Sequence, residues 1–319
     1  MNRFRESGVR LTQWLLPQLG NVLLVVWGVA TIVFFLLHLV PGDPVDFMLG
    51  EYARAADRDI LRHKLGLDLP LWQQYVNFIT GILQFDFGTS FHYQQPVSEL
   101  ILARLPATLE LAAASLFIAV IIAFPLGVYA AVKKDTVADR GAMFFSLVGA
   151  AIPNFWLGPM LILIFSLGLN WFPVSGRSGF DSLILPAITL GTALAAILAR
   201  MVRSSLLEVL GEDYIRTARA KGLSPLTVIV KHGLRNALLP VITLLGLQLG
   251  ALLGGAVITE TVFSWPGLGK LTIDSIMSRD YPVTQACILL ISLFYVVVNI
   301  FTDVVYSRID PRVRVGGSQ

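Results

Sequence analysis

The chain alternates long apolar runs with polar connections. Six runs approach the roughly 20 residues that cross a bilayer as helix. They cover about 19–40, 107–132, 143–169, 183–201, 236–262 and 284–306. Pro125 and Pro153, Pro159 and Pro186 fall within these runs, which membrane helices tolerate better than soluble ones. The pattern predicts an all-α, polytopic protein with six transmembrane helices in a single transmembrane domain over 1–319. The first two runs are separated by a long segment, 41–105. Within it, Leu71, Trp72, Tyr75, Val76, Phe78, Ile79, Ile82 and Leu83 recur in threes and fours among Gln73, Gln74, Asn77, Thr80 and Gln84. This period predicts an amphipathic helix over about 70–84, lying on the outer face of the bundle or in the interface. Docking of a soluble partner is a further role open to it.

Composition supports the membrane reading. Of the 319 residues, 55% are hydrophobic and 14% charged, with a mean hydropathy of +0.72; soluble domains carry roughly 25% charge. The net charge of +3 is spread over short connections, so it reads as a topology signal and not as a nucleic-acid patch. With the N-terminus inside, sixteen Lys and Arg fall on the cytoplasmic side and eight outside. Both termini are therefore expected in the cytoplasm, with 41–105 external. The basic start MNRFRESGVR precedes an apolar run, 22–40, too long for a signal-peptide core and followed by no Ala-x-Ala site. It reads as a retained first span.

Catalytic chemistry is sparse. The lone Cys287 excludes an internal disulfide, and the four histidines show no ligand spacing, so no metal site is expected. Ser264 to Lys270 only mimics a phosphate loop: Ser264 stands where the first Gly belongs, and Leu271 follows the Lys. Any ATP must be used by another chain. Polar residues inside the spans are few: Glu110, Asn154, Gln248 and Asn299, with Glu260 and Asp303 near membrane ends where water can solvate them. Asn154 and Gln248 are candidates for lining a pathway, although Asn154 can equally bond backbone freed by Pro153. Gly246, Gly250 and Gly254 share one helix face, suited either to packing within the chain or to a partner or pathway wall.

The longest polar interruption in the second half is 202–235. Ser205 to Lys221 is rich in helix formers. Arg219 and Lys221 precede Gly222 as in a helix C-terminus, and Ser224-Pro225 reads as the N-cap and first position of a second helix. The stretch GEDYIRTARAKGL followed by RNALLPV resembles the cytoplasmic loop of ABC importer permeases, in their dipeptide/oligopeptide branch. Gly222 takes the glycine position of that loop and Ala218 its second alanine. Arg216 and Thr217 replace the Glu and first Ala, and His232 to Arg235 replace Ile-x-Leu-Pro, with Leu239-Pro240 further on.

The similarity extends over nearly the whole chain. HLVPGDP (38–44), LGLDLPLWQQY (65–75), DFGTS (86–90), RLPATLEL (104–111), PVSGR (173–177), TETVFSWPGLG (259–269), RDYPV (279–283) and DPRVR (310–314) all look like that branch, in its B-type subunit. The direct passage from Arg177 through Ser178–Ser182 into the fourth span is the shorter form also seen in glutathione- and nickel-type members. The resemblance implies a type I importer-like permease in the bacterial inner membrane. It implies a second, C-type permease, one or two ABC ATPases that use ATP and Mg, and a periplasmic solute-binding protein delivering a peptide-like solute. It makes the helix around 214–224 the coupling element. Glu212, Asp213, Tyr214, Arg216, Thr217, Ala218, Arg219, Ala220, Lys221 and Gly222 are then the coupling residues, with Ala218 and Ala220 small enough for close seating. Glutathione or a nickel chelate are the alternative cargoes. An ATP-independent secondary transporter is the rival class; it would be expected to show intramembrane charges or paired broken helices.

Overall fold

A computed structural model describes residues 2–39, 42–50 and 54–309. Among them are α-helices, two π-helical turns and no β-strand, only an isolated bridge between Thr89 and Pro96. The helices are α1 (Asn2–Leu39), α2 (Pro44–Leu49), α3 (Ala55–Lys64), α4 (Leu71–Leu83), α5 (Val97–Val132), α6 (Val137–Ala151), α7 (Asn154–Leu161), α8 (Phe180–Leu210), α9 (Asp213–Ala220), α10 (Pro225–Thr227), α11 (Arg235–Val262), α12 (Leu268–Met277) and α13 (Tyr281–Ile309). Five helices are long and apolar enough to cross a membrane by themselves.

The third apolar run departs from a straight span. It forms α6 and then α7 with its π-helical continuation Ile162–Gly168, bent by 98° at the break. Pro153 is the cause: it disfavours helical backbone at Ile152, which is extended (φ −78°, ψ 117°), and it caps α7 from outside. The fifth helix begins earlier than expected. Ser224 Oγ accepts the amide of Thr227, Pro225 holds the first helical position, and α10 runs through a second π-helical turn, Val228–Leu234, into α11.

The chain divides into two compact units. One comprises Met1–Thr108 and Pro266–Val296. Its core gathers the start of α5 (Val97, Leu100, Ile101), α12 (Leu268, Leu271) and α13 (Val283, Ala286, Cys287). Asp280, fully buried, caps α13: its carboxylate accepts from Ser90 Oγ, from the amide of His92 at 3.1 Å and from that of Val283 at 3.4 Å. α4 stands on α1, where Phe34 packs edge-on to Tyr75 and stacks on Phe78, and Thr31 bonds the Tyr75 hydroxyl at 2.8 Å. Leu71, Trp72, Val76 and Leu83 of α4 stay exposed.

The other unit, Leu109–Trp265 with Val297–Gln319, is built around α8. Of its most apolar window 72% is buried, against 22% for that of Pro225–Gly250 in the same unit, so α8 is the more enclosed rod. α5 and α8 approach closely at two glycines: a Cβ on Gly127 would lie 2.6 Å from the Ala199 carbonyl oxygen, and one on Gly191 2.8 Å from that of Ser115. Glu260, expected in reach of water, is instead fully buried within this unit, as is Trp265 beyond it. Asp303 lies outside the residues whose side chains are described.

Candidate functional site: the loop between α8 and α11

The helix expected over Ser205–Lys221 is two helices. α8 carries on to Leu210, and Gly211 and Glu212 break the chain before α9. Glu212 has extended backbone (φ −71°, ψ 149°) and gives α9 no side-chain cap, so the first-turn Asp213 supplies the negative charge that favours a helix N-terminus. Arg219 occupies the last turn and Lys221 follows as the C-cap. Gly222 then turns the chain at φ +76°, a left-handed conformation open to glycine and costly, by about 1–2 kcal/mol, for most other residues.

α9 has two faces. Ile215 and Ala218, three apart, are buried with Val228 against Leu210. The seating of Ala218 is thus within its own chain: the small side chain lets α9 lie against the helix that follows. A second tie holds α9 down, the amide Nδ2 of Asn236 donating to the Tyr214 hydroxyl at 2.7 Å. The other face is open. Glu212, Arg216, Thr217, Arg219, Ala220, Lys221 and Gly222 are exposed. Arg216 pairs with Asp213 at 3.3 Å in a solvated ion pair, and Thr217 Oγ1 donates to the Asp213 carbonyl. No described residue lies within 4 Å of where a Gly222 side chain would start. The arrangement is a short helix with a basic outer face, anchored by two apolar residues and one hydrogen bond.

Beneath it the helix ends are packed together. Ala131 of α5, Leu206 of α8 and Ala237 of α11 form a buried cluster with Val128, Leu210 and Ile229 around it. Arg203, two turns before the end of α8, grips Asp139 of α6.

Other sequence candidates are placed as follows. Asn154 opens α7 and is half-buried, with no side-chain hydrogen bond among the described residues; Gln248 is half-buried on α11. Gly246 is buried at a crossing with α13 that leaves no room for a Cβ: Thr302 occupies the place. Gly250 is buried too, and Gly254 lies outside the residues whose side chains are described. Glu110, read as a lone intramembrane carboxylate, is paired with Arg177 at 2.7–2.8 Å. That pair and Asp139–Arg203 escaped sequence reading because partners 64 and 67 residues apart leave no periodic trace.

Comparison with known proteins agrees with this architecture. Residues 123–315 match the family described as binding-protein-dependent transport system inner membrane component, and residues 11–112 match its N-terminal counterpart. The dipeptide transport system permease protein DppB of Escherichia coli is 44% identical over 95% of this chain and 99% of its own length. The glutathione transport system permease protein GsiC of Salmonella choleraesuis is 48% identical over 90% of this chain and 94% of its own. Among solved structures, a chain of the MetNI methionine ABC transporter in inward-facing form has a TM-score of 0.58 at 21% identity. The match covers 66% of this chain and 96% of that one, a likeness of fold. The chain belongs to the family of inner membrane components of binding-protein-dependent transport systems, and is a multi-pass inner-membrane permease.

Proposed function

We propose that this chain forms half of the transmembrane pathway of an ATP-driven ABC importer for a short peptide, and that α9 couples the pathway to the ATPases. The observation that carries the reading is similarity over 90–95% of the chain to permeases of dipeptide and of glutathione, itself a short peptide. The secondary-transporter alternative yields to the family assignment.

With both termini cytoplasmic, the loop after α8 faces the ATPases and 41–105 faces the binding protein. A short helix lying across helix ends transmits a rigid-body push. Arg216, Arg219 and Lys221 offer three cations to acidic groups of an ATPase groove, while Ile215 and Ala218 hold the helix to its own chain. ATP-driven closure of the ATPases would then rock this permease against its C-type partner. ATP and Mg are used by the partner chains. The test is uptake of a labelled dipeptide into proteoliposomes holding both permeases and the ATPases, with the binding protein outside. Uptake that needs enclosed ATP and the binding protein supports the reading; uptake indifferent to both contradicts it.

A further inference from the structure

The unit formed by Met1–Thr108 and Pro266–Val296 holds a cavity of about 450 Å³ between the end of α1, α4, the 86–91 segment and the start of α13. This lies within the roughly 300–1,000 Å³ typical of small-molecule sites. Phe34, Phe78, Phe87 and Phe91 contribute aromatic wall.

Of its polar lining, His38 and Gln74 bond each other at 3.2 Å and the carbonyls of Phe34, Leu67 and Leu69, while Gln285, Asn77, Tyr281 and Lys64 make no side-chain hydrogen bond to any described residue. Gln285 is only 7% exposed, lines the cavity, and makes no side-chain hydrogen bond to any described residue. The residue is mostly covered, yet its amide keeps access to the cavity, where water or a ligand supplies its bonds. The Asn77 amide and the Tyr281 hydroxyl line the same cavity and are likewise unbonded among the described residues. Lys64 and Asp86 stand exposed at the rim of the cavity, Lys64 with no ion-pair partner among the described residues and Asp86 with one carboxylate oxygen, Oδ1, accepting from the Gly88 amide at 2.9 Å.

These groups select one chemistry. Two amides, each donor and acceptor, complement a peptide bond. A cation and an anion complement a carboxylate and an ammonium, and aromatic rings accept an apolar side chain. An acyl chain would leave the amides dry, and an anion alone would leave Asp86 opposed. We propose that this cavity binds a short peptide with free termini, as a site on the outer segment separate from the pathway. Gln285 and Asn77 take its amide, Lys64 its carboxylate and Asp86 its ammonium. The site rests on the peptide-importer reading for its supply of peptide at the outer face.

The assembled importer in nanodiscs, without its binding protein, is titrated with alanyl-phenylalanine by saturation-transfer NMR. Saturable binding is expected, with Kd about tenfold higher in Gln285→Leu and about two- to fivefold higher in the surface variants Lys64→Gln and Asp86→Asn. The C-terminally amidated peptide should bind wild type and Lys64→Gln alike. Absence of saturable binding, or binding that all three variants leave unchanged, overturns the site. ATP-driven uptake of the same peptide is measured alongside with the binding protein present. Uptake without mouth binding leaves the importer reading intact and removes this site. Mouth binding without uptake keeps the site and removes peptide as the cargo.

Discussion

Arg203 holds Asp139 with two parallel hydrogen bonds, Nε to Oδ1 at 2.6 Å and Nη2 to Oδ2 at 2.7 Å. The Asp139 side chain is 4% exposed and that of Arg203 25%. The pair joins α6 near its start to α8 near its end. Asp139 also receives the Asp135 amide, closing the turn that starts α6. Asp139→Ala strands a largely buried cation and should cost about 3 kcal/mol. Thermal unfolding of the importer in detergent reads this. The double variant Asp139→Leu with Arg203→Met should recover much of the loss; equal loss in both would assign the effect to the lost bond from the Asp135 amide instead.

The two faces of α9 should separate stability from coupling. Ala218→Leu overpacks the contact with Ile215, Val228 and Leu210 and should cost about 1–3 kcal/mol. Arg216→Glu and Arg219→Glu sit on the exposed face and should leave thermal stability unchanged while lowering ATPase retention on purification. Gly222→Asp meets no described residue within 4 Å and bears only the cost of about 1–2 kcal/mol of a left-handed backbone, so it should insert and fold yet fail in uptake. Normal uptake by a well-expressed Gly222→Asp protein would contradict the role given to the loop.

Gly246 and Thr302 bring α11 and α13 into backbone-close contact. Gly246→Val has nowhere to go without parting the helices, a loss of about 1–3 kcal/mol. Thr302→Ala should restore part of it, because two of the three clashing atoms, Oγ1 and Cγ2, are removed. Additive effects in a double-mutant cycle would show that the helices do not meet there.

His63 Nδ1 bonds Asp68 Oδ2 at 2.6 Å, bridging the turn after α3. The Asp68 hydrogen bond and charge raise the His63 pKa above its ordinary value, and the same bond lowers that of Asp68. For His63, the contribution is complete below its unfolded value near 6.5 and is lost as pH rises through the raised folded value. For Asp68, it is present above the unfolded value near 3.8 and is lost as pH falls through the lowered one. NMR titration should find His63 deprotonating above pH 6.5, and Asp68→Asn should return it to about 6.5. An unchanged midpoint in that variant would mean the pair does not form.

Much of the fold was legible in the sequence because length and apolarity alone define a spanning helix. The break at Pro153 was not: a proline announces a perturbed helix, but the 98° bend depends on what α6 and α7 each pack against. Gly222 and Ser224-Pro225 marked the loop's turn correctly, since positive φ and capping are local chemistry. Ala218 was legible as a small residue at a tight contact, but which surface it touches is a tertiary matter, and it touches Val228 and Leu210 of its own chain. Gln285, six residues after Arg279 and at the start of the last apolar run, gave no signal: only the cavity beside it makes its amide conspicuous.

The most direct test of the account is a cross-link from the exposed face of α9. With Cys287 replaced by Ala, a cysteine at Thr217 is treated with a short bifunctional maleimide in native membranes. The account predicts an adduct with a nucleotide-binding chain, lengthened or lost when ATP is trapped. No adduct from Thr217, together with an adduct between a cysteine at Trp72 of α4 and the same ATPase, would place α9 on the wrong side of the membrane and contradict it.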